Sequence, residues 1–288
     1  MKYDYDICII GSGAGGAPIA YELSNAGYKV LVLEKGKNYK EEDFSKDKLA
    51  VSRRDMFTPK LQDERHIIND REKNGSITRY DGAEYSWSFW NGSMVGGSSN
   101  LMSGYFHRMK PNDFKLKSVF GEINGANVVD WCISYADLEP YYEKVERVVG
   151  VSGEVKKHKF LEPRSTLNFP YPKLEENKVT LWFDKACKSL GFESIPTPRA
   201  VLSGNALDRN SCSYSNFCGS YACATGAKGS ARAALLQKCD AKIISEAFVY
   251  KLDSDASKIT QVHYYDKDLK SHFVSANIFV LSAQAIES

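Results

Sequence analysis

The chain has 288 residues, 43% of them hydrophobic and 26% charged, a balance that suits a folded protein with a sizeable core. With 38 basic and 36 acidic residues the formal net charge is +2, and no block of like charge offers a surface to nucleic acid or an anionic membrane. No apolar run approaches the roughly 20 residues of a membrane span, and Met1-Lys2-Tyr3-Asp4-Tyr5-Asp6 leads straight into a strand without a signal-peptide pattern.

In chain order, residues 4–10 form a short isoleucine-rich apolar run, read as a buried parallel strand. Residues 14–26 repeat Ala17, Ala20, Leu23 and Ala26 at helical spacing, and Gly27 is placed to cap the end. Residues 29–33 (KVLVL) are the second strand of a β-α-β unit. Residues 37–90 have poor periodicity and read as an irregular excursion that ends in Tyr85, Trp87, Phe89 and Trp90. A glycine-rich segment spans 92–104. Helices are expected over 135–149, with Ser134 as N-cap and Asp137 behind it, over 176–190, stopped by Gly191, and over 229–238. Residues 242–282 alternate like strands, and a strand at Ile278–Leu281 runs into the opening of a helix at Ser282–Ser288.

Gly11, Gly13 and Gly16 match G-x-G-x-x-G directly after the first strand. The glycines allow a tight turn, close approach of backbone to a pyrophosphate, and close helix–strand packing. The helix N-terminus then offers unpaired N–H groups to phosphates. Glu34 ends the second strand 18 residues after Gly16, where a carboxylate can accept both ribose hydroxyls and disfavours a 2′-phosphate. The competing reading is a glycine turn without a ligand, and the unit alone does not choose between FAD and NAD.

Residues 91–108 (NGSMVGGSSNLMSGYFHR) hold paired glycines followed by two serines, which suits either backbone approach to a flat ligand or an ordinary surface loop. Cys212, Cys218 and Cys223 are spaced C-x5-C-x4-C. Three thiolates on one polar loop point to an iron–sulfur cluster, since zinc wants a fourth ligand and no histidine lies in the loop. Unliganded loop thiols are the alternative. The seven cysteines, an odd number, argue against a disulfide framework.

The glycine turn with Glu34, then Val95-Gly96-Gly97-Ser98-Ser99, resembles the glucose-methanol-choline (GMC) flavin oxidoreductases. His107-Arg108-Met109-Lys110-Pro111-Asn112-Asp113-Phe114 and the string Asp130–Tyr142 are similar to the branch that holds gluconate 2-dehydrogenase and the FAD-dependent glucose and sorbitol dehydrogenases. The ending resembles the family's AGAIES element, with Ser282 and Gln284 where the family prefers Ala and Gly. The resemblance runs from about residue 4 to the last. It implies an α/β fold with a Rossmann-like FAD-binding domain over 1–115, an irregular inserted helical and cysteine-loop region over 116–228, and a return to the FAD domain over 229–288 that is incomplete at the C-terminus. It also implies cofactor contacts at Gly11, Ser12, Gly13, Gly15, Gly16, Glu34, Lys35, Gly96, Gly97, Ser98, Ser99, Asn100 and Val249. Leu101 stands where some relatives carry a flavin-linking histidine, so the expected FAD is non-covalent. Cys212, Cys218 and Cys223 correspond to ligands of a [3Fe-4S] cluster.

The resemblance further implies oxidation of a sugar or sugar-acid hydroxyl, gluconate-like, with electrons passed through the cluster to a cytochrome c subunit. A small subunit is also expected. It would lead export to the periplasmic face of the inner membrane; without it the chain is expected in the cytoplasm. His66, His107, His158, His263 and His272 match no catalytic context of the family, so no catalytic residue is assigned. The chain reads as an N-terminal half that is inactive by itself. The alternatives are an electron-transfer module that oxidises no alcohol, and an NAD-dependent Rossmann reductase.

Overall fold

The computed structural model describes residues 3–44, 67–81, 91–215 and 218–288. His66 and the aromatic run Tyr85–Trp90 lie outside them. The chain divides into two compact units: Met1–Met102 with Phe217–Ala224 and Ser230–Ser288, and Ser103–Asn216 with Thr225–Gly229. Among the described residues no helix is long and apolar enough to cross a membrane.

The first unit is built on β1 (Tyr5–Ile10), α1 (Gly16–Asn25) and β2 (Val30–Leu33). From Ile7 onward β1, and the whole of β2, are apolar and buried on both faces, as a covered parallel pair requires. β1 and β2 pair in parallel with Ile7 opposite Val30 and Ile10 opposite Leu33. α1 buries only small residues, Gly16, Ala17, Ala20 and Ser24, which lets it lie close to the sheet. It ends where Gly27 takes φ +91°, a left-handed backbone suited to glycine. The sheet continues with β5 (Lys242–Ile244), β6 (Phe248–Ser254), β7 (Ile259–Tyr265) and β8 (Ser271–Leu281), in the order β5-β2-β1-β8-β7-β6. β8 has two partners: Ser271–Ser275 runs antiparallel to β7, and Ala276–Leu281 runs parallel to β1. Side chains at period two, Cys8 and Ile10, Leu31 and Leu33, Val262 and Tyr264, Val274 and Ala276, form one core cluster. Burial pushes the Cys8 thiol up to about 12, so it behaves as a small apolar side chain.

Three local expectations change. Residues 37–90 contain a hairpin, β3 (Ile67–Arg71) and β4 (Ile77–Asp81), turned at Asn74-Gly75 with φ +86° at the glycine. The run 243–252 breaks into β5 and β6 because Glu246 adopts φ +55°, which interrupts the ladder. The expected helix 229–238 is only α5 (Ala231–Ala234) followed by a 3₁₀ turn at Leu236–Lys238, since Leu235 leaves helical geometry at φ −121°.

In the second unit, α2 (Leu116–Phe120), α3 (Tyr135–Val149) and α4 (Lys178–Ser189) precede the cysteine loop. Numbered on, the short helix at Ala231–Ala234 keeps the label α5, and α6 is Gln284–Glu287. α3 starts at a capping box in which Ser134 and Asp137 bond each other's backbone. It is fixed by a buried ion network: Arg108 Nε and Nη2 donate to Glu146 at 2.7 and 2.9 Å, Arg164 Nη2 donates to Glu146 at 2.6 Å, and Arg108 Nη1 donates to Glu139 at 2.9 Å.

Candidate functional site

A crevice opens in the first unit where β1, β2 and β8 end. Strand order reverses here, with β2 on one side of β1 and β8 on the other, which is where open α/β sheets bind ligands. The lining includes Gly11–Gly13, Leu33–Lys35, Asn91–Ser93, Gly97, Ala247–Val249 and Leu281–Gln284.

The glycines of the first turn divide their tasks. Gly11 takes φ +96°, and a Cβ there would sit 2.5 Å from the Ser282 carbonyl oxygen. A Cβ on Gly16 would lie 2.1 Å from the Gly11 oxygen, so this glycine sets how closely α1 approaches the strand. A Cβ on Gly13 would meet nothing within 4 Å: the backbone here is bare toward open space, as close approach by a ligand requires. Gly15 is the N-cap of α1 and supplies no side-chain cap, and the first turn carries no acid. The positive end of the helix therefore remains available to an anion.

The second glycine segment lies against the first. A bridge joins Lys37 to Met94, and a Cβ on Gly36 would come within 2.2 Å of the Met94 backbone nitrogen. Gly97, at φ +55°, presents its Cβ position 3.2 Å from the Gly13 Cα. Gly96 is held from behind, where a Cβ would meet Arg232 Cβ at 2.6 Å. Its N–H donates to Ser12 Oγ at 2.9 Å.

Several side chains singled out in the sequence brace this turn. Ser98 Oγ accepts the Gly92 N–H at 2.9 Å. Ser99 Oγ donates to the Gly96 oxygen at 2.6 Å and accepts the Ala231 N–H at 2.9 Å. Buried Asn100 donates to the Val95 and Gly97 oxygens at 2.9 and 3.0 Å. Leu101 packs with Phe44, Met94 and Ala222. Glu34, 7% exposed, accepts from Ser12 and Gly36, and Lys35 lines the crevice beside it. Val249 lies on β6, the last strand of the described sheet, next to a register shift between Val249 and Lys251.

Sequence reasoning missed Gly36, the residue that admits the second turn, because a single glycine after Glu34-Lys35 belongs to no spacing pattern. It also missed the clamp behind Gly96. There Arg232 donates to Glu41 at 2.8 and 3.0 Å and lies over the Phe44 ring at 5.3 Å.

The cysteines fare differently. Cys212 belongs to the second unit, while Cys218 and Cys223 belong to the first. Among the described residues no group of three or more His, Cys, Asp or Glu side chains is placed to hold a metal ion. The expected [3Fe-4S] ligand set is therefore not found among the described residues. The segment around Cys223 is organised instead by apolar packing of Ala222 on Phe44 and Met94, and by the Ser220 N–H donating to the Leu101 oxygen at 2.8 Å. None of the described histidines lines the crevice. His263 is paired with Asp253 at 2.6 Å and His272 with Asp266 at 2.7 Å.

Comparison with known proteins bears on this site. A family model described as GMC oxidoreductase matches residues 71–288, and one described as an NAD(P)-binding Rossmann-like domain matches residues 9–39. The fructose dehydrogenase large subunit of Gluconobacter japonicus is 31% identical over 98% of this chain and 53% of its own length. The gluconate 2-dehydrogenase flavoprotein of Pantoea cypripedii is 26% identical over 96% of this chain and 50% of its own. The crystal structure of pyridoxine 4-oxidase from Mesorbium loti superposes with a TM-score of 0.56 at 16% identity, covering 98% of this chain and 50% of that one, a likeness of fold. The chain spans about half the length of the curated relatives it matches.

Proposed function

The chain belongs to the GMC oxidoreductase family, and from that membership we propose that it supplies the FAD-binding part of a dehydrogenase acting on a sugar or sugar-acid hydroxyl. The observation that carries this reading is the joining of the two glycine turns: Gly97 against Gly13 and Gly36 against Met94, around a crevice ending at Glu34. A Rossmann turn needs only the first; the second extends the bare backbone along a longer dinucleotide.

The residues present fit that cofactor. Gly11–Gly13 and the uncapped start of α1 suit its pyrophosphate, Glu34 its ribose, and the backbone near Val249 its adenine edge. Lys35 and Gly97 line the same space. FAD supplies the hydride acceptor for alcohol oxidation. This chain's own part is to grip the nucleotide, fix its orientation and cover one side of it. Ser98, Ser99 and Asn100 serve by holding the second turn in shape. Leu101, packed in an apolar cluster, offers no group for a covalent flavin link, so the cofactor is expected to be released by denaturation.

The finer reading has a gluconate-like substrate, a small subunit and a cytochrome partner at the periplasmic face. It rests on the resemblance and on two relatives, one called a large subunit and the other a flavoprotein. An iron–sulfur cluster on Cys212, Cys218 and Cys223 rests on their spacing and on the resemblance; these thiolates make no metal-holding group among the described residues. Iron and acid-labile sulfide in stoichiometric amounts would support it, and their absence would remove it.

The test of the main reading is calorimetric titration of the purified protein with FAD, NAD and NADP, with the flavin absorption spectrum recorded. Tight binding of FAD alone is expected. Preference for NAD would overturn the reading in favour of a nicotinamide-dependent reductase. Gluconate, fructose and glucose with an artificial electron acceptor then sort the substrate, using the protein together with any partner that copurifies.

A further inference from the structure

Among the described residues, Glu34 is the only carboxylate lining the crevice, and most of its hydrogen-bonding capacity is already taken. Oε2 accepts the Ser12 N–H at 3.0 Å and the Ser12 hydroxyl at 2.6 Å, and Oε1 accepts the Gly36 N–H at 2.8 Å. An ionised carboxylate offers about four acceptor positions, so roughly one remains, and it lies on Oε1. The Ser12 hydroxyl cannot turn away to free another. Its oxygen accepts the Gly96 N–H at 2.9 Å, which aims its hydrogen at Glu34, and Ser12 is fully buried.

We infer that Ser12 is a positioning residue that makes Glu34 read a single ribose hydroxyl rather than the pair. The inference rests on the proposed binding of an adenine dinucleotide in this crevice. Ser12 fills Oε2 with two donors and fixes the carboxylate rotamer. It also ties the acid to the second glycine turn through Gly96. One ribose hydroxyl donates to Oε1, and the other finds no acceptor on this side chain. The sequence alone suggests a carboxylate taking both hydroxyls; the hydrogen bonds of Ser12 halve that capacity.

The experiment is titration of the apoprotein with ADP, 2′-deoxy-ADP and 3′-deoxy-ADP. Wild-type protein is expected to lose about tenfold or more in affinity for one deoxy analogue, and less than twofold for the other, since a hydrogen bond to a charged acceptor is worth about that much. Ser12→Ala opens a position on Oε2, so this variant is expected to lose affinity with both analogues. Ser12→Thr keeps the hydroxyl and is expected to restore the one-sided pattern. Equal losses for both analogues on wild-type protein overturn the inference without any variant, as does a one-sided pattern that persists in Ser12→Ala. Wild-type protein that binds neither ADP nor FAD overturns the underlying reading as well.

Discussion

Gly36 and Met94 touch through their backbones: a Cβ on Gly36 would lie 2.2 Å from the Met94 nitrogen and 2.5 Å from its Cα. No side-chain rotation relieves such a contact, because both atoms are main chain. Gly36→Ala must push the second turn outward. The expected cost is about 1–3 kcal/mol of stability, the range for forced overpacking. FAD affinity should fall with it, by at least tenfold. Denaturant unfolding with and without FAD measures both; an alanine variant that keeps wild-type affinity would show that the two turns do not bind together.

Hydrogen bonding from Arg232 holds the Glu41 carboxyl down at about 2, from an ordinary value of 4.5. A carboxyl lowered on folding contributes stability above its unfolded value and loses it as pH falls. The contribution should be complete above about pH 4.5 and vanish by about pH 2. Glu41 is 38% exposed, so solvent screening reduces the effect to about 1 kcal/mol. Melting curves of wild type and Glu41→Gln should differ by a constant amount from pH 5 to 7 and converge on acidification. A difference that grows below pH 4 would contradict this.

Gln284 adopts φ +71°, the left-handed region where a side chain is strained. Gln284→Gly should stabilise the protein by up to about 1 kcal/mol, the relief of strain being partly offset by greater freedom of the unfolded chain. Thermal melting measures it; destabilisation would mean that the glutamine side chain makes a compensating contact.

Removing Arg108 leaves Glu146, 2% exposed in its side chain, with Arg164 as its remaining cation. Arg108→Met should cost about 3–5 kcal/mol, the usual penalty for breaking a buried pair. The double variant Arg108→Met/Glu146→Leu should be no more stable than the single, because it takes the bonded carboxylate from Arg164, 3% exposed in its side chain, and leaves that cation facing Glu162 at 3.6 Å. A double variant clearly more stable than the single would show that Glu146, not Arg164, is the costlier charge to leave short of a partner.

How much could be read in advance follows the physics of each element. The β-α-β unit was legible because glycine spacing, apolar strands and a small-residue helix face all demand it. α3 was legible from the Ser134–Asp137 capping box. The β3–β4 hairpin carried its Asn74-Gly75 signal, but its strands are mostly exposed and lack the alternation that marks a half-buried sheet. The break at Glu246 has no sequence mark, since glutamate is not a turn residue. In the site, Glu34 could be found by counting from the glycines. Its saturation by Ser12 and Gly36 is a matter of distances, and Gly36 needs its partner at Met94 before its purpose can be seen.

β8 pairs its second half with β1, so Ile10 sits beside Leu281, and Gly11 is closed off by Ser282. Contacts of such sequence separation form slowly, because the segment from Ile10 to Leu281 must be closed into a loop first. During synthesis the first glycine turn emerges well before β8, yet it lacks one wall until residue 282 has left the ribosome. A nascent chain stalled short of β8 should leave an edge of β1 bare and prone to mispairing, and adding cofactor should not rescue it.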